Sequence, residues 1–202
     1  MNKLVVGYSG HSHSVIESCS SINDIKYYSE KCLKDNNPYN LKYIGDEMSD
    51  NFKGWGNKYE FILGVGDNKI RTEIGEKILL KDEILINIIN SFSSISSTSK
   101  LGKGIFISKG VMINPYCQIN DFVILNTGSI VEHHCIIEKG VHIAPGAVLC
   151  GNVHVGERTF IGANSVIKEG IQIGKEVIIG AGSVVLNDVP DNTTIYGNPA
   201  KI

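Results

Sequence analysis

Arginine is nearly absent: Arg71 and Arg158 are the only two, against 17 lysines in 202 residues. This argues against a site that clamps phosphates with several guanidinium forks and leaves lysines and backbone amides for any anionic ligand. A basic excess is also missing. Nineteen basic and 21 acidic side chains give a net charge of −2, and nucleic-acid partners usually demand a basic stripe. No run approaches the ~18–20 apolar residues of a membrane span, and MNKLVVGYSGHSH turns polar too soon for a signal-peptide core. The five cysteines (Cys19, Cys32, Cys117, Cys135, Cys150) are odd in number and form no CxxC pair, which speaks against a disulfide framework. Together these absences point to a soluble, cytoplasmic protein without a nucleic-acid partner. Glycine, by contrast, is abundant at 22 residues. The length suits one large domain or two small ones.

The second half is periodic. Every sixth residue from Leu101 to Val185 is Leu, Ile or Val, and the residue four places later, from Ile105 to Val189, is always small or β-branched. A period of six is neither helical nor that of an ordinary strand. Hexapeptide repeats build a parallel β-helix, each hexad supplying a short strand and a corner, with the aliphatic pointing inward. Ile89 and Ile95 are in phase, so the coil can begin slightly before Leu101.

The first half reads differently. KLVVGYSGHSHSVIESC predicts a strand, a glycine turn and a helix; IKYYS, YEFILGVGD and ILINIIN predict further strands, with a short edge strand at LKYIG. NKIRTEIGEKILLK predicts a helix with Ile70, Ile74, Ile78 and Leu79 on one side. Strands alternating with helices imply βαβ units and a parallel sheet. The serine-rich SFSSISSTSK marks the expected boundary, giving a Rossmann-like domain over 1–94 and a β-helix over 95–202.

The hexads, the βαβ pattern and the phrases GYSGHS (7–12), GVGDNKIR (64–71), LNTGSIVEHHC (125–135), VHIAPGAVLCGNV (141–153) and GNPAK (197–201) together resemble one family. It is the hexapeptide-repeat sugar acetyltransferases of the NeuD/PglD type, which pair a small Rossmann-like domain with a left-handed β-helix. The resemblance implies acetyl-CoA as co-substrate and three hexads per coil. It also implies a homotrimer with active sites between neighbouring β-helices. The acceptor would be a nucleotide-linked amino sugar, N-acetylated for bacterial surface glycan synthesis, or sialic acid or a related sugar, O-acetylated.

Acetyl transfer needs a base, an oxyanion donor and aligned substrates, and histidine titrates near working pH. In Val131-Glu132-His133-His134-Cys135 the repeat claims Val131 and Cys135 for the interior, so His133 faces out at a corner. The family's base lies in the same phrase, which makes His133 the candidate. Several members carry an acid directly after that histidine; here His134 stands there. The orienting group is therefore open: Glu132, a carboxylate from another coil or subunit, or His134 as a neutral acceptor. The resemblance assigns His142, Gly151, Ala163 and Ala181 to acetyl-CoA, with Lys168, Lys175 and Lys201 as weaker candidates for its phosphates. It assigns Ser9, Gly10, His11 and Gly66 to the nucleotide, and Ser29-Glu30 where some members have two aspartates. His154 matches no role. Two other readings compete. One is a three-histidine zinc hydratase, although His133, His142 and His154 do not stack at an 18-residue repeat. The other is a non-catalytic binding module.

Overall fold

The computed structural model describes residues 1–201. Its first unit is a five-stranded parallel sheet, order β3-β2-β1-β4-β5, built from β1 (Lys3–Val6), β2 (Ile25–Ser29), β3 (Lys42–Tyr43), β4 (Glu60–Leu63) and β5 (Ile84–Leu85). Helices α1 (Gly10–Glu17) and α2 (Asn68–Leu80) lie on its two sides. The chain leaves β1 in one direction to β2 and in the other to β4, so the strand order reverses between β1 and β4. The turns Gly7–Ser9 and Gly64–Gly66 flank that switch point, where open α/β sheets place their ligands. Both turns need glycine. A Cβ on Gly7 would lie 2.4 Å from Val65 Cγ2, and one on Gly64 would lie 2.5 Å from the Gly7 carbonyl oxygen.

Helix α2 starts where the Asp67 side chain accepts the Ile70 N–H at 2.9 Å, an N-cap that satisfies one of the orphan amides of the first turn. Its buried side is Arg71, Thr72, Ile74, Gly75 and Ile78. Ile70, expected on the apolar side, is instead 45% exposed. Its place in the core is taken by Arg71, because the helix packs against carbonyl groups there and not only against aliphatics.

The second unit is the β-helix. Two-residue rungs recur every six residues from Ile88–Ile89 to Val184–Val185 and form three flat faces. One face stacks Phe106, Ile124, His142, Phe160 and Ile178 in register; the next stacks Met112, Ile130, Val148, Val166 and Val184; the third stacks Gln118, Ile136, His154 and Gln172. We call these the first, second and third faces. Each stacking step is 18 residues, or three hexads per coil. The hexad aliphatics from Ile107 onward form one buried core. The small residues at the corners are buried too, and their polar atoms donate to the coil above: Thr159 Oγ1 to Gly174 O, Ser165 Oγ to Gly180 O, Cys117 Sγ to Glu132 O. Each edge turns through a left-handed residue, as at Gly128 and Gly146, at Tyr116 and His134, and at Phe122 and Gly140.

The β-helix begins earlier than the serine-rich segment suggests. Ile88–Ile89 is already a rung, paired with Phe106–Ile107. ILINIIN is therefore two elements, β5 and the first rung, separated by Ile86 and Asn87. The Asn87 side chain accepts from Ile105 N and donates to Gly102 O, which makes the change of direction without a loop. The serines belong to corners of the first coil: Ser93 Oγ donates to Asn90 O and Ser99 Oγ to Asn114 O.

The two units share their cores. Ile88, Phe106 and Ile124 of the first face pack with Val5, Tyr8, Val15 and Tyr28, while Phe122, at a coil corner, packs with Leu63, Ile74 and Ile78. Arg71 joins them. It is 1% exposed; its Nε donates to Phe122 O at 2.7 Å, one terminal nitrogen to Gly66 O at 2.8 Å, and the other to Gly140 O at 2.8 Å and to Asn68 Oδ1 at 2.9 Å. Hydrogen bonds to a charged group contribute about 1.5–3 kcal/mol, and stranding their buried partners costs as much again. Arg71→Ala is therefore expected to destabilise by roughly 3–5 kcal/mol. Arg71→Lys should recover little of this, since a point charge cannot reach three separated carbonyls. Urea unfolding followed by Trp55 fluorescence measures both.

Candidate active site

The candidate residues fall into two separate groups. The first is at the switch point. Ser9 and Gly10 are exposed at the start of α1. Here the Ser12 hydroxyl accepts the Ser9 N–H at 2.9 Å and donates to Ser9 O at 2.7 Å. No side chain crowds Gly10, and Gly66 faces His11 across the crevice. His11 lies 6.2 Å from His142, ring centre to ring centre, and 5.5 Å from Phe106. His142 lies edge-on to Phe160 at 5.1 Å, with Nε2 3.3 Å from Asn126 Nδ2. Burial and the nearby Arg71 charge hold both imidazoles down, His11 at about 4 and His142 at about 3, His142 lowered further by His11. Both are neutral at physiological pH. His142 thus lies beside the two glycine turns of its own chain, next to His11 and Gly66.

At the end of β2, Glu30 accepts the Tyr8 N–H at 3.0 Å and pairs with Lys34 at 3.7 Å. Ser29 is fully buried, and its Oγ has no hydrogen-bond partner among the described residues. Beside it lies a residue the sequence reading missed. Glu47, 6% exposed, has an unpartnered Oε2, and burial holds its carboxyl above the usual range. It lies in the irregular segment after β3, where no periodicity marks it.

The second group is on the edge between the second and third faces, on the opposite side of the prism from His142. His133 and His134 are exposed there. His133 Nδ1 and His134 Nδ1 are 3.1 Å apart. The His133 ring lies on Gly151, one coil up, where a Cβ would come within 2.5 Å of its Cε1. Gly151 is thus the floor under His133. The Glu132 carboxylate makes no hydrogen bond to either ring, and its carbonyl accepts from Cys117 Sγ at 3.0 Å. Ala163 and Ala181 stack one coil apart on a different edge, between the first and second faces, and nothing crowds the adjoining Gly182. That edge presents bare backbone, which fits a pantetheine-like chain. Within one chain, however, it does not meet Gly151. Lys168 shares the edge of His133, while Lys175 and Lys201 lie elsewhere; all three are exposed. His154, on the third face, bonds Glu138 Oε1 at 3.1 Å and Gln172 Oε1 at 3.0 Å. Neither arginine is free for phosphate, since Arg158 is held by Glu176.

Comparison with known proteins agrees with this architecture. Residues 3–78 match the PglD N-terminal domain, 134–168 the bacterial transferase hexapeptide (six repeats), and 152–187 the hexapeptide repeat of succinyl-transferase. A GDP-perosamine N-acetyltransferase of Escherichia coli O157:H7 is 36% identical over 105 residues. That match takes in 52% of this chain, which spans about half (48%) of the length of this curated relative. PerB from Caulobacter crescentus, solved with CoA and GDP-perosamine, is 31% identical with a TM-score of 0.89, over 100% of this chain and 97% of PerB. Variants of that enzyme with one histidine replaced by asparagine or alanine are also solved with CoA and GDP-perosamine. The acetyltransferase domain of PglB from Neisseria gonorrhoeae FA1090, solved with acetyl coenzyme A, is 28% identical with a TM-score of 0.88, covering 100% of this chain and 99% of that one. The fold and these matches define a hexapeptide-repeat acyltransferase with a Rossmann-like N-terminal domain. Within that class, the chain belongs to the family of PglD-type hexapeptide-repeat sugar acetyltransferases.

The low imidazole pKa values give a stability prediction. An unfolded histidine takes up a proton near pH 6.5, whereas folded His11 and His142 stay neutral down to about 4 and about 3. Between those limits the unfolded chain binds more protons, so stability is full above pH 6.5 and falls as pH is lowered. Thermal melting between pH 7 and pH 4 should show a smaller acid-side loss in His142→Asn than in the wild type.

Proposed function

We propose that this protein transfers the acetyl group of acetyl-CoA to the amino group of a nucleotide-activated amino sugar, with His133 as general base. The observation that carries the reading is the state of His133. Its ring is seated on Gly151, Nδ1 is engaged by His134, and Nε2 has no hydrogen-bond partner among the described residues. A lone pair on an oriented, accessible imidazole is what a general base requires. The co-substrate supplies an activated thioester carbon. Nε2 takes the proton from the attacking amine as the N–C bond forms and the C–S bond breaks, and the departing thiolate takes up a proton. The full-length likeness to PerB, solved with CoA and GDP-perosamine, supports both substrates. The crevice at Ser9, Gly10, His11 and Gly66 would hold the nucleotide by backbone groups near a helix start, in line with the lack of free arginines. Ser29 and Glu30 border that crevice.

His133→Ala should lower kcat by at least ~10² with an unchanged melting temperature. CoA release with GDP-perosamine and other nucleotide-linked amino sugars measures it, and a variant that keeps most of its rate would remove His133 from the mechanism.

We further infer that the working form is a homotrimer in the cytoplasm. His133 and the nucleotide turns lie on opposite sides of one chain, so a complete site needs His133 from a neighbouring copy. The second face offers the contact. Above Ser94 in its first rung, its outward residues Met112, Ile130, Val148, Val166 and Val184 are apolar, with Met112 51% and Val166 37% exposed. Apolar stripes of this kind mark association surfaces. Light scattering should give three times the 22.0 kDa chain mass. Val148→Lys should dissociate the assembly and abolish turnover together, and activity that survives in a monomer would overturn this arrangement.

A further inference from the structure

From the His133–His134 contact we infer that His134 is the positioning residue of the base: a neutral imidazole that accepts the His133 Nδ1–H and thereby fixes the tautomer with Nε2 free. This rests on the acetyltransferase reading above and adds the group that orients the base.

Only one assignment of the single proton between the two Nδ1 atoms leaves His133 able to act. Two neutral imidazoles 3.1 Å apart share one N–H, because two lone pairs or two protons facing each other would repel. If His133 donates, its Nε2 carries the lone pair and His134 carries its own proton on Nε2. If His134 donates, His133 holds its proton on Nε2 and cannot accept another there. Which ring nitrogen is protonated is set by the partner of the other.

The fold holds His134 in the accepting position. Its backbone is left-handed, φ +60°, and its N–H donates to Pro115 O at 3.0 Å. Its ring lies 5.1 Å from that of Tyr116, the corner residue one coil below, at an interplanar angle of 34°. The remaining charged groups on this edge are Glu132, Lys168, Glu169 and, highest on the prism, Asp188, which accepts from the Gln172 N–H at 2.8 Å. None of them hydrogen-bonds either ring, so among the described residues His134 is the side chain placed to accept. As Nε2 of His133 takes the substrate proton, the charge is shared across the Nδ1–H···Nδ1 bond. A carboxylate would stabilise that charge more strongly, so the acid limb of the rate profile should respond to the identity of residue 134.

The corner geometry supplies clean variants. Gly170 and Asn152 occupy the equivalent left-handed positions in higher coils, so His134→Gly and His134→Asn keep the backbone relaxed. His134→Gly is expected to lower kcat about tenfold or more with little change in either KM. His134→Asn, which keeps an acceptor oxygen, should recover part of it. His134→Asp should recover kcat and move the acid limb of kcat/KM to higher pH. A second readout needs no turnover: ¹⁵N spectra of histidine-labelled protein should show His133 protonated on Nδ1 and His134 on Nε2. Wild-type kcat in His134→Gly, a loss restored by neither Asn nor Asp, or a His133 protonated on Nε2 would each overturn the proposal. Because the spectra and the His133→Ala rates are independent, failure of this proposal is separable from failure of the acetyltransferase reading.

Discussion

A guanidinium group buried without a carboxylate holds this molecule together. Arg71 hydrogen-bonds only to dipoles, the carbonyls of Phe122, Gly66 and Gly140 and the Asn68 side chain, with the Asp67 carboxylate acting on it through space. Burial lowers it to about 9, which still leaves it charged at neutral pH. Its planar fork suits carbonyls that belong to different elements, here a sheet-end turn and two coil corners. Docking the first domain on the β-helix therefore also sets the position of Gly66, and burial, aided by the same charge, keeps His11 and His142 neutral. Both arginines are engaged within the chain, one at the domain joint and the other with Glu176.

The β-helix acts as a ruler. Because the coil advances in 18-residue steps, positions separated by that interval stack, and the edge or face of a residue follows from its place in the hexad. This separates the two histidines of interest. His133 lies at a corner and His142 nine residues later on the opposite face. The same rule places Gly151 under His133 and sends Ala163 and Ala181 to another edge. A single chain therefore keeps the His133 edge and the His142 face apart.

Much of this was legible in the sequence. The hexad period locates every interior aliphatic from Ile107 onward, since each of these positions packs on the aliphatics of the coils above and below and the repeat has no insertion. The two glycine turns were legible because Gly7 and Gly64 approach each other too closely for any side chain. Other features were not. ILINIIN reads as one strand, because two-residue rungs and an ordinary strand look alike over seven residues; the Asn87 hydrogen bonds that divide them are long-range. The buried side of α2 includes Arg71, which no apolar pattern would select. Glu47 sits in an irregular segment and becomes notable only through its burial.

By itself, then, the sequence determined the class of fold, the two-part organisation and the corner placement of His133–His134, because periodic burial and glycine turns are local constraints written into residue spacing. Only the tertiary structure decided that the His134 ring and no carboxylate contacts His133, that His142 sits beside His11 and Gly66, and that Arg71 joins the domains. Each of these depends on contacts between residues far apart in the chain, and spacing along the sequence does not encode how two separately folded surfaces meet.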